Sequence, residues 1–316
     1  MRQQAGTGLS LALLSAGTFA TSGTFARSLI GAGWSAEAAV AARVGVAAVV
    51  LAVPALLAQR GRPAVVRRNA GTIGLFGVLA VGAAQACFFN AVRYLPIGVA
   101  LLLEYLGIIL VVGWMWAVHG QRPRRLTVAG SVAAGIGLIF VLNLTSGAHL
   151  NPLGVLWGLG AAVGLATYFV VSARADAALP ATVLASGGMA VGAITLVLLG
   201  LVGVLPLHAT FGTVNLAGHL VSWLVPIAGL SLVAAVVPYV AGIGAARILG
   251  ARLSSFLGLT EVIFAVLIAW LALGELPTAV QLLGGALIVT GAALVRLGEM
   301  RSARPVEPEP VAAIRR

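Results

Sequence analysis

Six residues near the middle of this chain recur toward its end at one fixed interval. Arg93, Trp116, Gly120, Pro123, Gly130 and Gly137 return as Arg247, Trp270, Gly274, Pro277, Gly284 and Gly291, each pair 154 residues apart with no gap. The chain is therefore a duplicated unit, and whatever the first half folds into the second half must fold into again. Apolar side chains make up 60% of the 316 residues and charged ones only 9%, with a mean hydropathy of +1.09. A soluble domain of this length needs far more polar surface, so each copy is expected to be solvated by lipid.

A bilayer core of about 30 Å takes roughly 20 apolar residues per helix. The apolar runs read as spans near 9–30, 36–58, 70–92, 97–118, 126–144, 152–172, 181–203, 220–245, 252–273 and 278–297. The runs are continuous, without the two-residue alternation of a lipid-facing barrel strand. They predict an all-α polytopic membrane protein of ten transmembrane helices: a first five-helix repeat over 1–146, a second over 147–298, and a Pro- and charge-rich 299–316 as a disordered tail. The first run resembles a signal peptide in following Arg2, but its length and its counterpart in the second half mark it as a helix. Five is odd, so the second repeat enters the membrane from the opposite side. Inverted repeats of this kind share a cavity near the midplane, as secondary transporters do.

The formal charge of +11 is carried wholly by arginine among the basic residues. With the N-terminus inside, sixteen arginines fall at internal ends, in internal loops or in the tail, and only Arg27 and Arg93 at external ends, with Arg43 inside a span. That asymmetry predicts a cell (inner) membrane protein with both termini cytoplasmic, and topology together with contact to anionic lipid accounts for the charge without nucleic acid. Cys87 is the only cysteine, and His119, His149, His208 and His219 are scattered over loops and span ends, so no disulfide, metal site or cofactor is expected.

An ionisable group at the centre of a span costs about 2.5–3.5 kcal/mol on insertion scales, so those that remain are candidates for function. Of eight acidic residues, only Glu104 in the fourth span and Glu261 in the ninth are far from a span end. Gly107 is the repeat partner of Glu261, so Glu104 precedes the equivalent position by three residues, nearly one turn on the same helix face. Either carboxyl suits a proton carrier or a ligand for a substrate amine; the bland alternative is a structural Glu bound to a neighbouring hydroxyl or Arg. Arg43, a third of the way into the second span, suits a clamp on a substrate carboxylate or a partner for Glu104, and equally a side chain reaching outward to the interface.

Milder polar residues fall at repeat-related places: Gln85 opposite Tyr239, Asn90 opposite Gly244, and Thr21 in the first span against Thr167 and Tyr168 in the sixth. They are candidate substrate contacts, although helix-to-helix packing explains such residues as well. Pro226 and Pro238 lie in the eighth run, where they are expected to kink or loosen the helix and so serve gating. Glycines such as Gly160 and Gly164 suit close helix packing, and the small-residue faces of spans five and ten suit either pairing of two copies as a homodimer or packing within one. No Walker-type fingerprint, GxSxG or HExxH occurs, which argues against an ATPase or an intramembrane enzyme.

The segments RYLPIGVALLLEYLG, VPYVAGIGAARILGARLSSFLGLTE and LGELPTAVQLLGGALIVTGAAL, on five-plus-five inverted helices, resemble the EamA-type branch of the drug/metabolite transporter superfamily over the whole chain. Within it, the pattern of Pro96, Gly98, Ala100, Glu104 and Gly107, with the pair Pro238 and Tyr239, is most similar to threonine/homoserine exporters. The resemblance implies proton-driven export of small metabolites, commonly amino acids, through a cavity lined by spans one, three, four, six, eight and nine, and it points to Glu104 and Glu261. Three departures stand out. Val262 and Ile108 occupy places where the family commonly has Pro, removing expected helix breaks, and the first-half LGE reads His119, Gly120, Gln121.

The sequence thus predicts a secondary-active exporter of a small polar metabolite, an amino acid first, working by alternating access with a proton as co-substrate. Multidrug or uncharged-metabolite export is the alternative within transport, and a non-transporting membrane protein the alternative outside it.

Overall fold

The computed structural model describes residues 2–61, 63–95, 97–120, 122–141, 151–273 and 278–302. Among the described residues nine helices are long and apolar enough to cross a membrane: Gly6–Gly31, Ala36–Ala58, Ala70–Val92, Val99–His119, Pro152–Arg174, Ala181–Leu201, Leu224–Leu249, Ala251–Ile268 and Ala279–Gly298. Arg125–Val141 takes the fifth place with 17 described residues, and the remainder of that expected span lies outside the described residues. We number these helices one to ten along the chain. Their ends follow local chemistry. Ser35 caps helix two by accepting from the Ala38 N–H at 3.2 Å, and Asn151 caps helix six by accepting from Leu153 at 2.9 Å, with Pro152 at the tolerant first position. Gly250, at φ 81°, makes the one-residue corner between helices eight and nine.

Helices five and ten record the symmetry of the molecule. A Cβ at Gly130 would come within 2.6 Å of the Gly291 carbonyl oxygen, and one at Gly137 within 2.6 Å of the Gly284 oxygen; the reverse contacts are the same. Since Gly130 is the repeat partner of Gly284 and Gly137 of Gly291, this crossed pairing is what two antiparallel, symmetry-related helices produce. The repeats are inverted, as the odd helix count predicts. The small-residue faces of these two helices are consumed within one copy, which removes the homodimer reading for that face.

Among the described residues the buried apolar side chains form four clusters, two of them large. One brings Val44, Leu51, Phe76, Leu184, Met189 and Tyr239 together, and the other Ala12, Leu138, Phe256, Ile288 and Val295. Outward-facing side chains are equally apolar, with Val49 72% and Leu271 79% exposed, so the rim is one that lipid rather than water solvates.

The structure departs from the sequence reading in several places. Helix eight starts at Leu224 instead of near 220, because 219–222 belongs to a β-hairpin in which Thr213–Leu216 pairs antiparallel with His219–Ser222. Ala217 and Gly218 form its two-residue turn, both with positive φ, so the fold is not purely α and His219 sits on a strand. The late start puts Pro226 in the first turn of helix eight, where its missing N–H interrupts nothing. Helix ten runs Ala279–Ser302, past the expected repeat end at 298, and 303–316 lies outside the described residues. Finally, helices four and nine each have a one-residue break in regularity without proline, at Leu106 between Ile97–Tyr105 and Gly107–His119, and at Leu259 between Ala251–Gly258 and Thr260–Leu273; both residues keep helical angles, with φ −59° and −60°, and the spans run on through them. Helices three and eight each contain an eight-residue π-helical stretch, Phe76–Ala83 and Gly229–Val236, at repeat-related positions to within one residue.

Candidate functional site

The helix breaks position the carboxylates. Glu104 lies two residues before the break in helix four and Glu261 two residues after the break in helix nine. At 1.5 Å per residue, Glu104 is about 10 Å in from one face and Glu261 about 15 Å in from the other. Each is the other's electrostatic neighbour, and both share Arg43. Tyr105, adjacent to Glu104, has its hydroxyl within electrostatic reach of the Glu261 carboxylate on helix nine. Glu104, Tyr105 and Glu261 are half-buried rather than sealed.

Arg43 is 4% exposed. It therefore points into the protein, and the alternative of a side chain reaching to the interface is set aside. Its guanidinium lies over the Phe19 ring, 5.2 Å from the centroid, within reach of a cation–π attraction. Its electrostatic neighbours are Tyr239, Glu261 and Glu104. Nε and Nη2 have no hydrogen-bond partner among the described residues.

Aromatic rings complete the site. Tyr168 of helix six meets Tyr239 of helix eight edge-on at 5.5 Å, and Phe76 of helix three lies 5.7 Å from Tyr168. The Tyr168 hydroxyl rests on Gly242, where a Cβ would also come 2.9 Å from Ser15 Oγ. Ser15 donates its hydroxyl to the Pro238 carbonyl at 2.8 Å, fastening helix one to the junction where the π stretch of helix eight returns to α. Helices one, two, three, four, six, eight and nine all contribute; the second, through Arg43, is outside the set that the family resemblance implies.

Other expected residues are not drawn into this cluster. Thr21 donates to the Thr18 carbonyl and Thr167 to the Val163 carbonyl, both within their own helices. Asn90 is buried, with its amide donating to the Ala86 carbonyl at 2.9 Å and its oxygen accepting from Arg93 at 3.3 Å. Gln85 is half-buried in helix three, just past the π stretch. Sequence reasoning missed Ser15, Phe19, Phe76 and Tyr105; the three aromatic residues lie inside apolar runs and carry no polarity signal, and Ser15 is one small hydroxyl among several in the first span. Among the described residues no group of three His, Cys, Asp or Glu side chains is placed to hold a metal ion.

Each face of the helix array has its own tie. On the face where helix one begins, Asp176 accepts from the Ala178 N–H at 2.9 Å, from the Asn69 amide at 3.2 Å and from Arg68, while Arg247 donates to the Leu179 carbonyl at 2.7 Å. These bonds, the backbone N–H first, lower the Asp176 carboxyl to about 2. On the opposite face the segment leading into the hairpin is strapped to the turn between helices one and two: Trp34 Nε1 donates to the Thr210 carbonyl at 2.5 Å and Ser35 Oγ to the Pro206 carbonyl at 2.8 Å. Trp34 also packs on Phe211 and Trp223. Sequence reasoning treated Asp176 as a span-end residue and saw no sign of the strap.

Long apolar helices in two inverted halves, gathered around half-buried carboxylates, a buried arginine and tyrosines, define a multi-pass membrane transporter. The chain belongs to the EamA-like transporter family, whose profile matches residues 6–143 and again 152–297. Among solved structures, one described only as a crystal structure of a protein shares 22% identity, with the match covering 96% of this chain and 100% of that one at a TM-score of 0.74. At that identity the likeness speaks for the fold alone. No curated protein matches this chain.

Proposed function

We propose that this transporter exports a small amine-bearing metabolite, an amino acid first of all, across the cell (inner) membrane by proton-coupled alternating access, with both termini in the cytoplasm. The observation that carries the reading is the pairing of two carboxylates, Glu104 and Glu261, beside helix breaks at related places in the two repeats, within electrostatic reach of each other and of Arg43. One carboxyl cannot hold a proton and an ammonium group at once. A cytoplasmic substrate amine displaces the proton, and a proton arriving from the acidic outside displaces the amine. The halves rock about this site, with the ties at the two faces opening in turn; the junction at Pro238 and the breaks at Leu106 and Leu259 are where the helices yield.

The test is counterflow of labelled threonine, homoserine and a wider amino-acid panel in proteoliposomes with an imposed pH gradient, for wild type, Glu104→Gln and Glu261→Gln. Gradient-dependent uptake of a panel member, lost in at least one variant, is the expected result. Unchanged transport and pH dependence in both variants would sink the reading. A second reading, export of lipophilic or uncharged compounds, draws on the rings of Phe19, Phe76, Tyr168 and Tyr239. It gains if lipophilic compounds are transported and both Glu variants leave their rates intact.

A further inference from the structure

We infer that Arg43 is the receptor for a substrate carboxylate, so that the site selects compounds carrying a free carboxylate and rejects the corresponding amines, esters and amides. This deepens the amino-acid reading above and rests on it for the role of the amine.

Arg43 is 96% removed from solvent by its 4% exposure, yet Nε and Nη2 have no hydrogen-bond partner among the described residues. A buried charge without partners is among the costlier things a fold can hold, and nearly all native buried polar groups are satisfied. The two open nitrogens are not an arbitrary pair. Their N–H bonds run nearly parallel along one edge of the guanidinium plane, which is the fork that takes the two oxygens of a carboxylate at once. The protein could have filled that fork with Glu104 or Glu261, its electrostatic neighbours, and has not. It leaves two buried, unfilled N–H prongs beside two carboxyl groups, with aromatic rings at Phe19, Tyr168 and Tyr239.

An α-amino acid presents the complement: an anion for Arg43, a cation for the glutamates and a side chain for the rings. The arginine also has no counterpart in the other repeat, where the corresponding helix, Ala181–Leu201, carries no charged side chain. Arg43 thus breaks the pseudo-symmetry of the site, as a residue does when it binds one end of an asymmetric ligand.

The test measures binding, so that it stands apart from proton coupling. Purified protein in nanodiscs is titrated with L-threonine, L-leucine and L-phenylalanine, and with the methyl ester, the decarboxylated amine and the deaminated acid of each. Wild type is expected to bind at least one amino acid about tenfold or more tightly than its ester and its amine, the scale of a charge-assisted bond. Arg43→Gln is expected to bring acid and ester to within about threefold, and Arg43→Lys to restore part of the preference, since a point charge replaces a fork. Arg43→Gln removes a buried charge whose Nε and Nη2 have no hydrogen-bond partner among the described residues, and size exclusion and a melting curve check that it folds.

Equal binding of acid and ester by wild type overturns the inference, as does a preference that survives in Arg43→Gln, or failure of every compound to bind folded wild type. If the acid preference and its loss in Arg43→Gln hold while transport ignores the pH gradient, the proton-coupled reading falls and this one stands. If transport follows the gradient and the glutamates while Arg43→Gln keeps its acid preference, the reverse holds.

Discussion

Gly242 is a position where one hydrogen atom keeps two helices apart. The Tyr168 hydroxyl presses on it, and Ser15 Oγ is close enough that a methyl group would sit 2.9 Å away. Gly242→Ala is expected to push Tyr168 off its place and lower initial transport rates by roughly tenfold or more, with the protein still eluting as a folded species. A rate close to wild type would show that Tyr168 is not placed by this contact. Asp176 offers a test by pH. Its carboxyl is lowered to about 2 by the Ala178 N–H, Asn69 and Arg68, so its bonds stabilise the folded chain above the ordinary carboxylate range of about 3.9. That contribution fades as pH falls toward 2. The melting difference between wild type and Asp176→Asn should therefore be present at pH 6 and vanish near pH 2; a difference constant over that range contradicts the assignment. At this scale the sequence was legible where polarity was out of place. Glu104, Glu261 and Arg43 stood out because charge in a span is costly, whereas Phe19 and Tyr105 did not, being ordinary inside apolar runs. The direction in which Arg43 points depends on which helices surround it, and no local pattern carries that.

At the scale of elements, glycine sets how closely helices five and ten approach. A methyl group at Gly137 would stand 2.6 Å from the Gly284 oxygen, while at Gly135, two residues away, it would meet nothing within 4 Å. Gly137→Ala is expected to destabilise by about 1–3 kcal/mol, as overpacking does, whereas Gly135→Ala is neutral or slightly stabilising. Melting curves of the two variants in one detergent check this, and equal curves would contradict the crossed-glycine packing. Ala217 in the hairpin turn adopts φ 51°, a conformation costing about 1–2 kcal/mol for a residue with a Cβ. Ala217→Gly should accordingly slow hydrogen exchange in Thr213–Ser222; faster exchange would contradict the turn assignment. The hairpin was hidden because Leu220, Val221 and Trp223 extend the apolar run of helix eight, so a hydropathy reading joins them to it. The breaks in helices four and nine were missed for the opposite reason. Proline was the expected mark of such a place, but helical regularity lapses at Leu106 and Leu259 without it, beside Gly107 and Gly258.

For the whole molecule, the duplication was the most legible feature, because an exact spacing and an odd number of helices determine inversion without any contact being known. The crossed glycine pairs of helices five and ten are the physical form of that inference. What spacing alone does not reveal is asymmetry: Arg43 in one repeat only, and a different tie at each face, Asp176 with Arg68 and Asn69 on one side and the Trp34 strap on the other. Asymmetry of that kind fits a substrate with two unlike ends and a cycle with two unlike halves. The most direct measurement of the account is of proton movement when substrate is added to lightly buffered proteoliposomes with no imposed gradient, using whichever amino acid counterflow identifies. Proton flux opposite to substrate flux is expected in wild type, and none in the Glu104→Gln or Glu261→Gln variant that abolishes coupling. Substrate flux with no accompanying proton movement in wild type would contradict it.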